Sequence, residues 1–188
     1  TLPEIQFISG MGEVIKHGII RDSEFYDFVK NNPEKIKDLD SKTLIEMSKR
    51  NCSIKAKVVE ADEKESGLRA ILNFGHTIGH AVESAMDFKL THGECVGIGM
   101  VAASYIATER GLIDSDILSD IENTLASYGF NLKLKLPESN VIYGFMQKDK
   151  KKSKGKLNFV LPIKIGEVIR VNDVKDDEIY KALEYISK

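Results

Sequence analysis

Four histidines occur in 188 residues, and three of them, His76, His80 and His92, fall within seventeen positions. His76 and His80 are four apart, so they share one face if the segment is helical. Two imidazoles on one face can both bind a metal, or one can bind while the other moves protons. H-E-x-x-H zinc chemistry is a poor match, because no glutamate stands inside the pair. His92 follows a break at Asp87 to Leu90, where a new helix is expected to start. A helix pair can therefore return it towards His76. Glu13 lies three residues before Lys16, so both can point the same way. Alone, that pair reads as an exposed ion-pair face, worth little.

Arg69 and Asn73 are also four apart and precede His76 by seven and three residues. The segment Leu68 to Met86 is helical by period, so one face would carry an arginine, an amide and two imidazoles. That set suits an anionic small molecule held beside a metal. Gly75 and Gly79 lie inside the same segment, each costing about 1 kcal/mol against alanine in a helix interior. Close approach of a ligand or a neighbouring helix would compensate. Lys55 and Lys57 sit in the preceding helical stretch and read by default as solvated lysines. Lys148 to Lys156 holds six lysines in nine residues. It reads as a solvated loop, or as a lysine aimed at phosphate or carboxylate. Gly97 to Ala102 matches G-x-G-x-x-A, but it sits in an apolar helical pattern with no strand before it. The dinucleotide fingerprint needs that strand, so these glycines read as helix packing.

The elements that must position these residues are mainly helical. Ser9 is expected to cap a first helix through Ile20, and Asp22 or Ser23 a second through Lys30. Pro33 suits a helix first turn. Ser41 to about Ala61 is a long helix whose inner face is read as Leu44, Ile45, Cys52, Ala56 and Val59. Asp62 to Gly67 is an acidic break. Gly93 to Arg110 is a very apolar helix expected at the centre. Asp114 or Ser115 caps another, ending near Gly129, and Val141 to Gln147 is a short further turn. The period then changes to two, with Lys156 to Leu161 and Glu167 to Val171 read as a hairpin. Asp176 to Ile186 returns to helix. The expected fold is mainly α, with one small β-hairpin near residues 156–171.

Composition bounds the rest. The chain is 42% hydrophobic and 30% charged with a formal net charge of -2, so nothing draws it generally to nucleic acid. Cys52 and Cys95 form no C-x-x-C pair, which argues for a reducing cytoplasm rather than a disulfide framework. The longest apolar stretch, Cys95 to Ala107, is too short to span a membrane. No signal peptide is visible, and the opening Leu2-Pro3-Glu4 without methionine suggests an artificial boundary or a processed piece.

In order, the segments Gly12 to Lys16 (GEVIK), Lys55 to Val59 (KAKVV), Asp62-Glu63, Gly67 to Arg69 (GLR), Leu72 to Ala81 (LNFGHTIGHA), His92 to Glu94 (HGE) and Asp149 to Lys151 (DKK) resemble the 3-dehydroquinate synthase family. Gly12 and His17 depart from it, standing where alanine and tyrosine are common. The resemblance covers only the family's mostly helical C-terminal half, so all 188 residues are expected to form one metal- and substrate-binding domain. An N-terminal α/β domain carrying most of the NAD site would be absent from this chain.

The resemblance implies zinc or cobalt on Glu13, His76 and His92. It implies a catalytic set of His80, Lys16 and Asn73, with His80 transferring the proton. Lys55, Arg69, Asn73 and Lys150 (or Lys151 in its place) would hold the substrate's carboxylate and phosphate. NAD would oxidise an alcohol, phosphate would leave, hydride would return, and ring opening with an internal aldol would give 3-dehydroquinate. The substrate would be 3-deoxy-D-arabino-heptulosonate 7-phosphate, and the full-length enzyme a homodimer. Alternatives are a cyclase like 2-deoxy-scyllo-inosose synthase, whose substrate lacks a carboxylate, or a folded metal-binding domain inactive alone. A glycerol dehydrogenase-type enzyme is a poorer match, since that group usually uses aspartate as its acidic ligand.

Overall fold

A computed structural model of the chain describes residues 2–62, 67–132, 134–152 and 156–187, with the backbone alone at 68 and 149–152. In chain order the helices are α1 (Glu4–Arg21), α2 (Ser23–Lys30), α3 (Pro33–Lys37), α4 (Ser41–Ala61), α5 (His76–Ala85), α6 (His92–Glu109), α7 (Ser115–Ser127), α8 (Ser139–Lys152) and α9 (Asp176–Ile186). A 3-10 turn, Leu68–Asn73, precedes α5. Strands β1 (Phe159–Lys164) and β2 (Glu167–Val171) pair antiparallel, with Phe159 opposite Val171 and Val160 opposite Arg170. The mainly α fold with one hairpin is as the sequence predicts, although β1 begins at Phe159 rather than Lys156 and α8 outruns the short turn expected there.

The apolar helix becomes the hub. Every residue of α6 except His92, Glu94, Tyr105, Thr108 and Glu109 is buried, as a helix hydrophobic all round must be. Thr91 and Glu94 close its start as a capping box. Helices α1, α5, α7 and α9 and strand β1 all pack on it. Gly97 meets the Phe130 ring, and a Cβ on Gly99 would lie 1.9 Å from the Gly75 carbonyl oxygen. The G-x-G-x-x-A run is therefore a packing seam, as read from its context.

Three local expectations need correction. Helix α1 starts at Glu4, before Ser9, because Pro3 presets the entry (φ -55°) and Glu4 suits the positive end of the dipole. The Ser9 hydroxyl instead accepts the backbone N–H of Gly93 at 3.1 Å, satisfying an orphan amide in the first turn of α6. The Leu68 to Met86 segment is not one helix, because Gly75 adopts φ +79° and separates the 3-10 turn from α5. Arg69 and Asn73 thus do not share the helical face of His76 and His80. Helix α4 buries Thr43, Met47, Ile54 and Val58, leaving Ile45 69% exposed and Cys52 exposed. The true apolar stripe runs beside the one read from the sequence, and most of α4 faces solvent. The inner part of the acidic break, residues 63–66, lies outside the described residues. Among the described residues no helix is long and apolar enough to cross a membrane.

Candidate metal and substrate site

The starts of two helices deliver the histidines. His76 opens α5 immediately after the left-handed Gly75. Its Nδ1 lies 3.1 Å from the Phe74 carbonyl oxygen. A carbonyl can only accept, so Nδ1 donates and Nε2 keeps its lone pair. His80 stands one turn later on the same face. His92 is the first residue of α6, with Nδ1 3.6 Å from Oε2 of Glu83 on α5. The ring centroids are 5.2 Å apart for His76–His80, 5.2 Å for His76–His92 and 5.6 Å for His80–His92. One nitrogen from each ring falls within 4.8 Å of the others. Helix α1 supplies Glu13, whose Oε1 is 4.0 Å from His76 Nε2. Glu13 stands at the edge of the imidazole trio rather than inside it. Lys16 Nζ donates to both its carboxylate oxygens, at 2.9 and 2.8 Å.

Burial shapes these charges. Burial works against ionised Glu13, but the Lys16 ammonium outweighs it and holds the carboxyl below its ordinary value. Lys16, only 2% exposed, is lowered by burial, which Glu13 partly opposes. His76 is pushed down to about 4 by burial and then by the Lys16 charge. It is therefore neutral at pH 7, the form that ligates a cation. Imidazoles beside a carboxylate form a nitrogen and oxygen donor set that suits zinc or cobalt. Nδ1 of His76 and of His92 each faces an oxygen that can orient its ring, as metal-ligating imidazoles require. The nitrogens of His80 have no hydrogen bond among the described residues.

Two cavities meet at His76. The first, about 430 Å³, is lined by Glu13, Lys16, His17, Lys55, Arg69, Asn73 and His76, among others. The second, about 310 Å³, adds His80, Met146, Leu157 and Asn158 to Asn73 and His76. The structure thus brings Glu13, Lys16, Lys55, Arg69, Asn73, His76 and His80 to one continuous cleft, with His92 against the other two rings. The side chains of Lys150 and Lys151 lie outside the described residues.

Residues 10–152 match the family described as "3-dehydroquinate synthase C-terminal". The chain belongs to the 3-dehydroquinate synthase family. A relative named 3-dehydroquinate synthase, from Acetivibrio thermocellus, is 50% identical over 182 residues, covering 96% of this chain and 50% of that protein. The 2-epi-5-epi-valiolone synthase of Streptomyces hygroscopicus subsp. jinggangensis, solved with NAD+ and Zn2+, superposes with a TM-score of 0.89 at 24% identity, covering 100% of this chain and 52% of that one. A 2-deoxy-scyllo-inosose synthase complexed with carbaglucose-6-phosphate, NAD+ and Co2+ gives a TM-score of 0.85 at 25% identity, over 98% of this chain and 53% of that one. The chain spans about half the length of the curated relatives it matches.

Sequence reading missed three residues beside this candidate site. Glu83 faces His92 from the neighbouring helix; its spacing of seven from His76 places it on the same face of α5 as the histidines. Arg170 on β2 lines both cavities, and nothing local to β2 signals that. His17 is 2% exposed, with Nδ1 2.7 Å from Asn51 Oδ1. Its Nε2 is buried without a hydrogen bond, and burial lowers its pKa, opposed by the Asn51 contact.

Proposed function

We propose that this chain is the metal- and substrate-binding portion of a 3-dehydroquinate synthase, a carbon-oxygen lyase. The whole enzyme would convert 3-deoxy-D-arabino-heptulosonate 7-phosphate to 3-dehydroquinate and phosphate, in the shikimate pathway leading to chorismate and the aromatic amino acids. The single observation that carries this reading is the convergence of Glu13, His76, His80 and His92 beside a cleft lined by Lys16, Lys55, Arg69 and Asn73. Three cationic side chains and an amide beside a nitrogen-rich metal site match a substrate that is both carboxylate and phosphate.

Glu13, His76 and His92 hold the metal, zinc or cobalt. This division is the one the family resemblance implies, and the tethers support it: oxygens stand at Nδ1 of His76 and His92, whereas the His80 nitrogens have no hydrogen bond among the described residues. Bound, the ion would polarise a substrate hydroxyl and lower its pKa, and NAD would accept and return the hydride. His80 faces the second cavity, which Glu13 does not line, and there takes the hydroxyl proton. Lys16, desolvated and held by Glu13, points a fixed charge into the first cavity. Lys55 and Arg69 take the anionic ends of the substrate, and Asn73, exposed at the junction of the cavities, orients it between them. Lys150 completes the phosphate contacts.

The described residues contain a two-stranded hairpin and no parallel sheet, so most of the NAD site is assigned to the α/β half that full-length members carry. The 188 residues form one domain, the whole enzyme works as a cytoplasmic homodimer, and this fragment alone is inactive. Likeness to the 2-deoxy-scyllo-inosose synthase supports a second reading, a sugar-phosphate cyclase whose substrate lacks the carboxylate. Arg69 beside Lys55 favours the carboxylate substrate, and product analysis of the full-length protein with both sugars decides.

Metal analysis tests the core of the reading. The chain should bind about one zinc or cobalt, with the loss large in His76→Ala, His92→Ala and Glu13→Ala and small in His80→Ala. Equal damage from His80→Ala would overturn the assigned roles. Turnover by the isolated fragment would overturn its predicted inactivity.

A further inference from the structure

An arginine on a surface hairpin is ordinarily a solvated charge. Three observations set Arg170 apart. It lines the first cavity with Lys16, Lys55 and Arg69, and it is the only cationic residue among those lining the second. With Asn73, His76 and Ala70 it belongs to both, so it stands where the cavities join. Its one hydrogen bond among the described residues runs from Nη2 to the neutral Asn158 Oδ1 at 3.1 Å. Among the described residues no carboxylate pairs with it. Asn158 is itself anchored, since its carbonyl accepts the Thr77 hydroxyl at 2.7 Å, one residue after His76. The guanidinium is thus fastened to the site by a short polar chain, with its remaining N–H groups available.

The first cavity holds Glu13 as its one acid, and Glu13 is committed to Lys16. Lys55 and Arg170 then add positive charge to the cleft that no carboxylate among the described residues offsets. Like charges brought together repel, and their cluster is favourable only when an anion joins it. A planar guanidinium presents paired N–H donors to a phosphate or carboxylate.

We propose that Arg170 is a ligand-binding residue that grips the anionic group of the substrate where the two cavities meet, so that the β-hairpin is part of the site. The inference deepens the reading of the cleft as a sugar-acid phosphate site and rests on it. The hairpin then does more than cover α6: it brings a cation to the cleft that Lys55 of α4 also lines.

The test is inorganic phosphate titrated into this chain at low salt, followed by nuclear magnetic resonance, with thermal unfolding as a folding check. Arg170→Ala is expected to weaken phosphate binding at least fivefold, and Arg170→Lys to restore part of it, since a lysine keeps the charge but not the fork. Lys181→Ala, on the exposed side of α9, should leave binding unchanged. If Lys55→Ala weakens binding while Arg170→Ala and Arg170→Lys bind like the parent, Arg170 is only a solvated charge and the cavity reading stands. If the parent chain itself shows no saturable phosphate binding, both fall.

Discussion

Replacing Gly93 with alanine should pry the two sides of the metal site apart. Gly93 follows His92 at the start of α6 and lies against α1, the helix that carries Glu13. A Cβ there would sit 2.0 Å from the Ser9 carbonyl oxygen and 2.5 Å from Ser9 Cα, where side-chain carbons essentially never come within 3.0 Å. The obstacle is backbone, so no rotamer change relieves it. The helices must part locally by at least about 1 Å, and the Ser9 bond to the Gly93 amide stretches with them. Overpacking of this kind costs about 1–3 kcal/mol. For a chain of this size each kcal/mol moves Tm by about 2–4 °C, so the midpoint should fall by about 2–12 °C. His92 would be displaced from Glu13 by a similar distance, weakening zinc roughly tenfold or more, as loss of an orienting partner does. At zinc one hundred times the parent Kd, binding stabilises the parent by about 2.7 kcal/mol and such a variant by about 1.4 kcal/mol. Scanning calorimetry with and without zinc reads both effects. Gly10→Ala is the control, because nothing lies within 4 Å of a Cβ there and a helix interior gains about 0.5–1 kcal/mol from the change. A Gly93→Ala chain that melts and binds zinc like the parent would refute the claim that this contact sets the site's geometry.

Glu83→Gln should weaken zinc binding about 10- to 100-fold without unfolding the chain, measured by competition with a chelating dye; unchanged affinity would mean that Glu83 does not orient His92. Arg110 donates to both oxygens of Glu178, at 2.6 and 2.9 Å, and to Asp173 at 3.0 Å, so Arg110→Ala should cost about 1 kcal/mol at pH 7. The Arg110 hydrogen bond holds the Glu178 carboxyl below its ordinary 4.5. The unfolded chain therefore takes up that proton first, and the stabilisation is present above pH 4.5 and lost as pH falls through the lower folded value. Thermal melts from pH 7 to 3 should show the gap between parent and variant closing only below that point. Burial and then the Glu83 charge raise the Cys95 thiol to about 12, whereas Cys52 is exposed. A thiol reagent at pH 8 should therefore modify Cys52 in the folded chain and reach Cys95 only in denaturant.

The parts of this fold that could be read from sequence are those governed by short-range rules. Helix α9, the apolar α6 and the turn-bounded strands follow from period and punctuation alone. The clustering of the histidines was legible because imidazole is rare here and its spacing local. What could not be read depended on pairs distant in sequence. Ser9 looked like a helix cap because its true partner, the Gly93 amide, is 84 residues away. Helix α4 was assigned a slightly rotated face because its neighbours cover so little of it. Gly75 broke the predicted helix because its left-handed φ is rewarded by contact with α6, which no local pattern reveals. Arg170 enters the site only through the packing of β2 against α1 and the 3-10 turn.

One regularity links the packing to the chemistry. Glu13, His76, His80 and His92 each stand next to a glycine: Gly12, Gly75, Gly79 and Gly93. At all four glycines an added Cβ would come within 2.8 Å of another segment's backbone. Gly12 meets Gly93, Gly75 meets Val96, and Gly79 meets Cys95. Backbones of α1, α5 and α6 therefore touch at the residues beside the donors. A neighbouring residue on a helix points about 100° away, so a glycine facing the seam sends the next side chain out along its edge. The close backbone approach at these glycines draws the three helices together where the short imidazole and carboxylate side chains emerge. The glycines cost helix stability and bring the donors within reach. Packing energy and metal affinity are thus coupled at the same contacts, and a change that loosens the seam must weaken the site even when it touches no ligand.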